Sequence, residues 1–256
     1  MTGRSASPQL HLPGLSPEGS GRAGEGGGAV DVRREVLAPG AVVLRGFAFD
    51  LADEIGRALA DIVAAAPFRH MTTPGNRRMS VAMTNCGPLG WVSDRHGYRY
   101  VPTDPESGRP WPPLPSVIAT LAARAAEEAG FPGFEPDACL VNRYAPGTKL
   151  SLHQDKDERD FAAPIVSVSL GVPATFLFGG LKRKDVPVRV RLYHGDVVVW
   201  GGPARLRYHG VAPLAEAEHP FGGPYRINLT LRRASWGQSP LTESKGSDPN
   251  LGEKGF

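Results

Sequence analysis

The sequence predicts a mainly β protein with supporting helices (α+β), an antiparallel sandwich or barrel braced by two helices. Three observations predict it. Two amphipathic helical periods come early in the chain, a series of short β-rich runs follows them, and 32 Gly with 25 Pro supply the turns between.

The elements follow in chain order. Residues 1–30 are rich in Gly, Ser and Pro and lack apolar periodicity, so a disordered leader is expected there. One domain is expected over 31–236, and a polar flexible tail over 237–256. Asp50 is placed to cap a first helix running through Ala66, with Leu51, Ile55, Leu59, Ile62 and Val63 on one face. The stretch from about 71 to 115 has little periodicity but holds Trp91, Tyr98, Tyr100 and Trp111 among several arginines. A loop region of that size reads as a lid or binding surface. Ser116 is placed to cap a second helix with Val117, Ile118, Leu121, Ala125 and Ala129 on one face and Gly130 as its stop. Strands are expected at Ile165 to Leu170, at Ala174 to Phe178 after Pro173, and where Val188, Val190 and Leu192 alternate with Arg189 and Arg191. His194-Gly195-Asp196 reads as a turn with a surface histidine. Val197 to Trp200 reads as a fully apolar strand, and Arg226 to Arg232 as an alternating one.

Composition narrows the class. The 256 residues carry 29 Lys+Arg against 26 Asp+Glu, a formal +3, which permits a polyanionic partner without requiring one. No run approaches the ~20 apolar residues of a membrane helix, so no membrane is expected. No secretory signal is expected at the N-terminus. Cys86 and Cys139 make no disulfide framework, and a reducing cytoplasm is the simpler home.

Three groups of residues could carry chemistry. His153 and Asp155 stand two apart, so on a strand both point to one face, where an imidazole and a carboxylate can share a cation. A second histidine from another strand would complete the two-His, one-carboxylate face suited to non-haem Fe(II). His209, after a buried strand and turn, is preferred over His70, His96, His194 and His219, although a satisfied core histidine would look the same. The tripeptide alone would also suit a solvated loop. The third group is the 226–232 strand, which puts Arg226, Asn228, Thr230 and Arg232 on one face and Ile227, Leu229 and Leu231 on the other. That polar face is either exposed, as on many antiparallel sheets, or turned inward on an anionic ligand such as a dicarboxylate held by two guanidinium forks.

Together these groups are the equipment of a 2-oxoglutarate-dependent oxygenase, and longer blocks point the same way. The segment Asn142 to Glu158 resembles the metal-binding segment of the AlkB family of nucleic-acid dealkylation dioxygenases. So do Ala163 to Gly171, Phe178 to Arg183, His194 to Gly202, Tyr208 to Gly210, Arg226 to Arg232, Asn85 to Trp91 and Gly97 to Tyr100. The likeness runs from about residue 40 to 235.

The resemblance implies a double-stranded β-helix (jelly roll) with a nucleotide-recognition lid. It implies Fe(II) on His153, Asp155 and His209, with 2-oxoglutarate and O2 as co-substrates. Asn142, Tyr144, Arg226, Asn228 and Arg232 would hold 2-oxoglutarate, Arg226 at its distal carboxylate. Trp91 and His153 would sandwich a flipped base, and Asp157, counted with the catalytic set, would accept from its exocyclic amine. Tyr98, Arg99, Tyr100 and Arg183 would touch the nucleic acid. The implied activity is oxidative demethylation of N1-methyladenine and N3-methylcytosine with release of formaldehyde and succinate. The implied partner is alkylated DNA, single strands preferred, with RNA as a further candidate, and the protein would act as a monomer. A related oxygenase acting on a protein or small molecule is the alternative; a jelly-roll binding module with a vestigial metal face is the non-enzymatic one.

Overall fold

A computed structural model describes residues 33–235; the expected leader (1–30) and tail (237–256) lie outside the described residues. The chain runs through β1 (Arg34–Ala38), β2 (Ala41–Leu44), α1 (Ala52–Ala65), β3 (Ala82–Cys86), β4 (Gly90–Asp94) and β5 (Gly97–Val101). It continues through α2 (Ser116–Glu128), β6 (Ala138–Tyr144), β7 (Leu150–His153), β8 (Ile165–Gly171) and β9 (Ala174–Phe178). It closes with β10 (Val188–Leu192), β11 (Val197–Trp200), β12 (His209–Val211) and β13 (Arg226–Arg232). One sheet has seven strands in the order β1-β2-β11-β8-β13-β6-β3, a second has four in the order β10-β9-β12-β7, and β4-β5 form a hairpin.

The period-2 alternation of each strand sorts side chains into two layers. From the large sheet, Val42, Leu44, Val166, Val168, Val197, Val199, Leu229 and Leu231 pack against Ile55, Leu59, Ile118 and Leu121 of the helices. On the opposite face Val43, Val198 and Trp200 meet Phe176, Phe178, Val190 and Leu192 of the small sheet. Two antiparallel sheets face to face, with helices on the outer side of one, give the helix-braced sandwich that the sequence predicts and the jelly-roll layout that the resemblance implies. Each fully buried aliphatic side chain contributes about 1.5–3 kcal/mol to this arrangement.

The helices have the expected apolar faces but not the expected caps. A 3-10 turn, Phe49–Leu51, precedes α1, and Asp50 lies inside it without bonding the helix N-terminus. At α2 the cap position is Pro115, whose carbonyl accepts from Ile118 and Ala119; Ser116 already lies in the first turn. Gly130 does stop α2. It takes φ +90°, and the following Phe131 N–H bonds back to Ala126 O at 2.8 Å.

The 71–115 stretch divides. Residues 82–86 are buried β3, the edge of the large sheet, paired with β6, so this part is frame. The β4-β5 hairpin is the part that reaches over the inter-sheet space. His194, expected at the surface, is half-buried because its Nδ1 accepts the Gly171 N–H at 3.0 Å.

Candidate active site

Adjacent strands bring the two histidines together. His153 ends β7, and His209 begins β12 directly opposite it, with ring centroids 4.4 Å apart. The chain leaves β7 and turns Asp155 between them: its Oδ1 lies 3.5 Å from His153 Nε2, its Oδ2 3.6 Å from His209 Nε2. One ligand atom from each of the three residues falls within 4.8 Å of the others.

The backbone fixes which nitrogen is free. His153 Nδ1 meets Ser151 O at 2.9 Å, and His209 Nδ1 meets Arg207 O at 3.1 Å. A carbonyl can only accept, so Nδ1 carries the proton in both rings and both Nε2 lone pairs point at the shared space. Burial, reinforced by the His153 charge, pushes His209 down to about 4, so it is neutral at physiological pH. Burial opposes charge on His153 as well, but its hydrogen bond to Asp155 outweighs that and raises it. Asp155 is held well below the usual carboxylate range: burial opposes ionisation, and the Arg232 guanidinium and both histidines overcome it.

The floor of the site is the polar face of β13, which turns inward. Both faces of this strand are buried, the aliphatic one under the helices and the polar one in a cavity of about 530 Å³. Arg226 is 2% exposed. Its Nη2 donates to Ser169 Oγ at 3.0 Å and its guanidinium sits 5.0 Å from the Tyr144 ring centroid, yet Nε and Nη1 have no partner. Asn142 and Asn228 face each other across β6 and β13, as do Tyr144 and Arg226. Asn228 Nδ2 donates to Ser167 Oγ at 2.8 Å, and Thr230 donates to Asn228 Oδ1 at 3.0 Å.

The two arginines of this face, six residues apart on β13, differ in their partners. Arg232 is committed within the protein. Its Nη2 and Nε lie 2.7 and 3.0 Å from Asp155 Oδ2, and its Nε lies 3.2 Å from Glu158 Oε1. Glu158 also accepts from Arg205 at 3.1 Å and from the Tyr100 hydroxyl at 2.6 Å. Arg226 keeps two buried donors, Nε and Nη1, without a partner among the described residues.

At the mouth, Trp91 is fixed by a two-point clamp: Asn85 accepts its backbone N–H and donates to its carbonyl, each at 3.0 Å. Its indole donates to Asp157 at 2.9 Å and stacks on Tyr98 with centroids 5.6 Å apart. Trp111 plugs the base of the hairpin, where a Cβ on Gly90 would collide with its indole. Trp91, Tyr98, Tyr100, Asp157 and Arg183 all line the cavity. Arg99 does not line it. Both its Nη atoms are bonded to Asp94 at 2.9 and 2.7 Å across the hairpin end, so its fork is taken. Sequence reasoning missed Glu158, Arg205 and Ser169, and assigned no role to Asn85 although its motif was noticed.

The model of the 2OG-Fe(II) oxygenase superfamily matches residues 40–232. The chain is 59% identical over 201 residues to the alpha-ketoglutarate-dependent dioxygenase AlkB of Escherichia coli K12, covering 78% of this chain and 93% of that protein. It is 49% identical over 185 residues to the AlkB homolog of Caulobacter vibrioides, covering 70% and 81%. The solved structure of OsALKBH1 superposes with a TM-score of 0.69 at 30% identity, covering 78% of this chain and all of that one.

Proposed function

Because the chain belongs to the 2OG-Fe(II) oxygenase superfamily, we propose that its cavity reverses alkylation damage. The reaction is oxidative demethylation of N1-methyladenine and N3-methylcytosine in DNA, with RNA as a further substrate. One observation carries the reading: a His-Asp-His donor set, with Asp155 and His209 buried and His153 partly exposed, shares a cavity with a guanidinium holding two unpartnered donors, under a tryptophan-lined mouth.

The residues fit both implied groups. Two free imidazole lone pairs and one carboxylate make a facial ligand set for Fe(II) that leaves positions open. The orphaned Nε and Nη1 of Arg226 suit the distal carboxylate of 2-oxoglutarate, with Asn142, Tyr144 and Asn228 beside it and Arg232 near the iron end. When bound, iron with 2-oxoglutarate and O2 supplies the oxidation that hydroxylates the N-methyl carbon, so that formaldehyde, succinate and CO2 leave and the base is restored.

The chain's own residues do the rest. The backbone bonds at Nδ1 hold both imidazoles in the ligating tautomer. Arg232 engages Oδ2 of Asp155, leaving Oδ1 as the freer oxygen. Trp91, held by Asn85, and His153 form the two walls for a flipped base, and Asp157 lies beside the indole where an exocyclic amine would reach it. Tyr98, Tyr100 and Arg183 take the sugar-phosphate chain. A base that cannot pair normally leaves its stack at lower cost, and in a single strand at lower cost still, so single strands are preferred. The enzyme acts as a monomer. The buried free thiols Cys86 and Cys139 suit a reducing cytoplasm, and no helix among the described residues is long and apolar enough to cross a membrane.

The test is turnover of methylated DNA and RNA oligomers with Fe(II), 2-oxoglutarate and O2. Formaldehyde and succinate should form in equal amounts and disappear together in His153→Ala and Asp155→Ala. Succinate formed without formaldehyde on every methylated oligomer overturns the reading.

A further inference from the structure

β10 is the free edge of the four-stranded sheet, and one side of it is entirely cationic. Val190 and Leu192 point inward and are buried, whereas Arg189, Arg191 and Tyr193 point outward and are exposed. The turn leading into it carries Lys182, Arg183 and Lys184, all exposed. Its one acid, Asp185, is used up inside the turn, where it accepts the Lys182 N–H at 3.0 Å and packs against Gly180. None of these five cations is in an ion pair among the described residues. Glu35, linked to this strand through Arg45, is itself held by that arginine. Charge guards an edge strand against pairing with another chain, but either sign would serve for that.

The cationic line is continuous with the active site. Arg183 lines the cavity. Val188, at the start of β10, pairs with Phe178, which pairs on its other side with His209. The strand therefore starts level with the histidines, with Val188 on their face of the sheet, and Arg189 and Arg191 stand on the outer face, reached around the free edge. From Val188 to Tyr193 is about 17 Å at 3.4 Å per residue. A strand stacked as in a duplex rises about 3.4 Å per nucleotide, so this track spans at most about five nucleotides, and Arg189 and Arg191 stand up to about two nucleotides apart.

We propose that the outer side of β10 is a phosphate track for the strand carrying the flipped base, extending the site by at most about five nucleotides on one side of the lesion. The proposal rests on the nucleobase reading of the pocket. The probe is a fluorescent unmodified single-stranded 13-mer, whose binding is read by anisotropy at several salt concentrations. Each neutralised phosphate contributes about 0.7 to the log–log salt slope of a single strand. Arg189→Gln/Arg191→Gln should therefore make the slope shallower by about 1.4, at unchanged Tm. Arg33→Gln/Arg57→Gln removes the same charge elsewhere and should leave the slope unchanged. With methylated substrates, the β10 variant should lose most of the KM advantage of a 13-mer over a trinucleotide while its trinucleotide kinetics match wild type. An unaltered slope in the β10 variant, or an equal change in the control, overturns the track. Binding reports on the track without turnover, so a failure of both enzymes to demethylate any oligomer would instead count against the pocket reading.

Discussion

Replacing Arg226 by Met separates recognition from architecture, because the two predict opposite signs for stability. Arg226 is a fully buried cation whose Nε and Nη1 have no partner. A buried unsatisfied donor costs about 1–3 kcal/mol. The substitution removes two such donors and leaves Ser169 Oγ without its partner, at about 1 kcal/mol. The ligand-free variant should thus be more stable by about 1–2 kcal/mol, raising Tm by roughly 2–8 °C for a domain of this size. Affinity for 2-oxoglutarate moves the other way. A charge-assisted hydrogen bond contributes about 1.5–3 kcal/mol, and losing two costs roughly 10²-fold or more in Kd at 1.4 kcal/mol per tenfold. Thermal denaturation with and without 2-oxoglutarate reads both quantities in one titration: the baseline Tm rises and the ligand-induced increment vanishes. A destabilised Arg226→Met that still gains the full increment would show the guanidinium to be structural, refuting the assignment.

Metal affinity should depend on a single proton between pH 5 and 7. Proton and metal compete for the same Nε2 lone pair, and His209, pushed down to about 4, has already lost its proton across that window. His153 is raised, so log K for Co(II) on the metal-free protein should climb by about one per pH unit and level off above its pKa. A slope of two by calorimetry would contradict the split. Trp91→Ala should raise KM for a methylated oligomer about 5- to 150-fold, the equivalent of 1–3 kcal/mol of lost stacking, while 2-oxoglutarate binding is unchanged; equal KM values would remove Trp91 from the base pocket. Glu158→Gln leaves Arg205 and Arg232 short of one buried anion. Such a loss costs about 3–5 kcal/mol, so Tm should fall by roughly 6–20 °C, and Glu158→Gln/Arg205→Gln should recover part of it.

Where side-chain type and period settle the answer, the sequence was readable. β9, β11 and β13 fall at the residues expected, and His153, Asp155 and His209 converge. Pairings made through space were not readable. The polar face of β13 could have been a wet surface; it is inward because α1 and α2 cover the aliphatic face, and no local pattern records that. Glu158 sits in a run with Lys156, Asp157 and Arg159 that looks solvated, but its partners come from residues 205 and 232. Arg99 looks free until β4 and β5 pair and bring Asp94 to it. β3, β6, β7 and β12 are short or interrupted by polar residues such as Asn85, Asn142, His153 and His209, and the apolar alternation that signals a strand is lost where the site is built.

The charges set the two arginines of β13 apart. Asp155 and Glu158 are matched by Arg232 and Arg205, a buried network with no net charge, and so the least costly way to keep four ions out of water. Arg226 lies outside it as a single uncompensated cation. Histidines that give their lone pairs to a metal are neutral, so Fe(II) raises the local excess from one positive charge to three. A dicarboxylate brings it back to one. Each charge pair at about 4 Å contributes on the order of 4 kcal/mol at an effective dielectric of 20, so metal and 2-oxoglutarate must favour each other's binding, and a monocarboxylate must bind much less tightly.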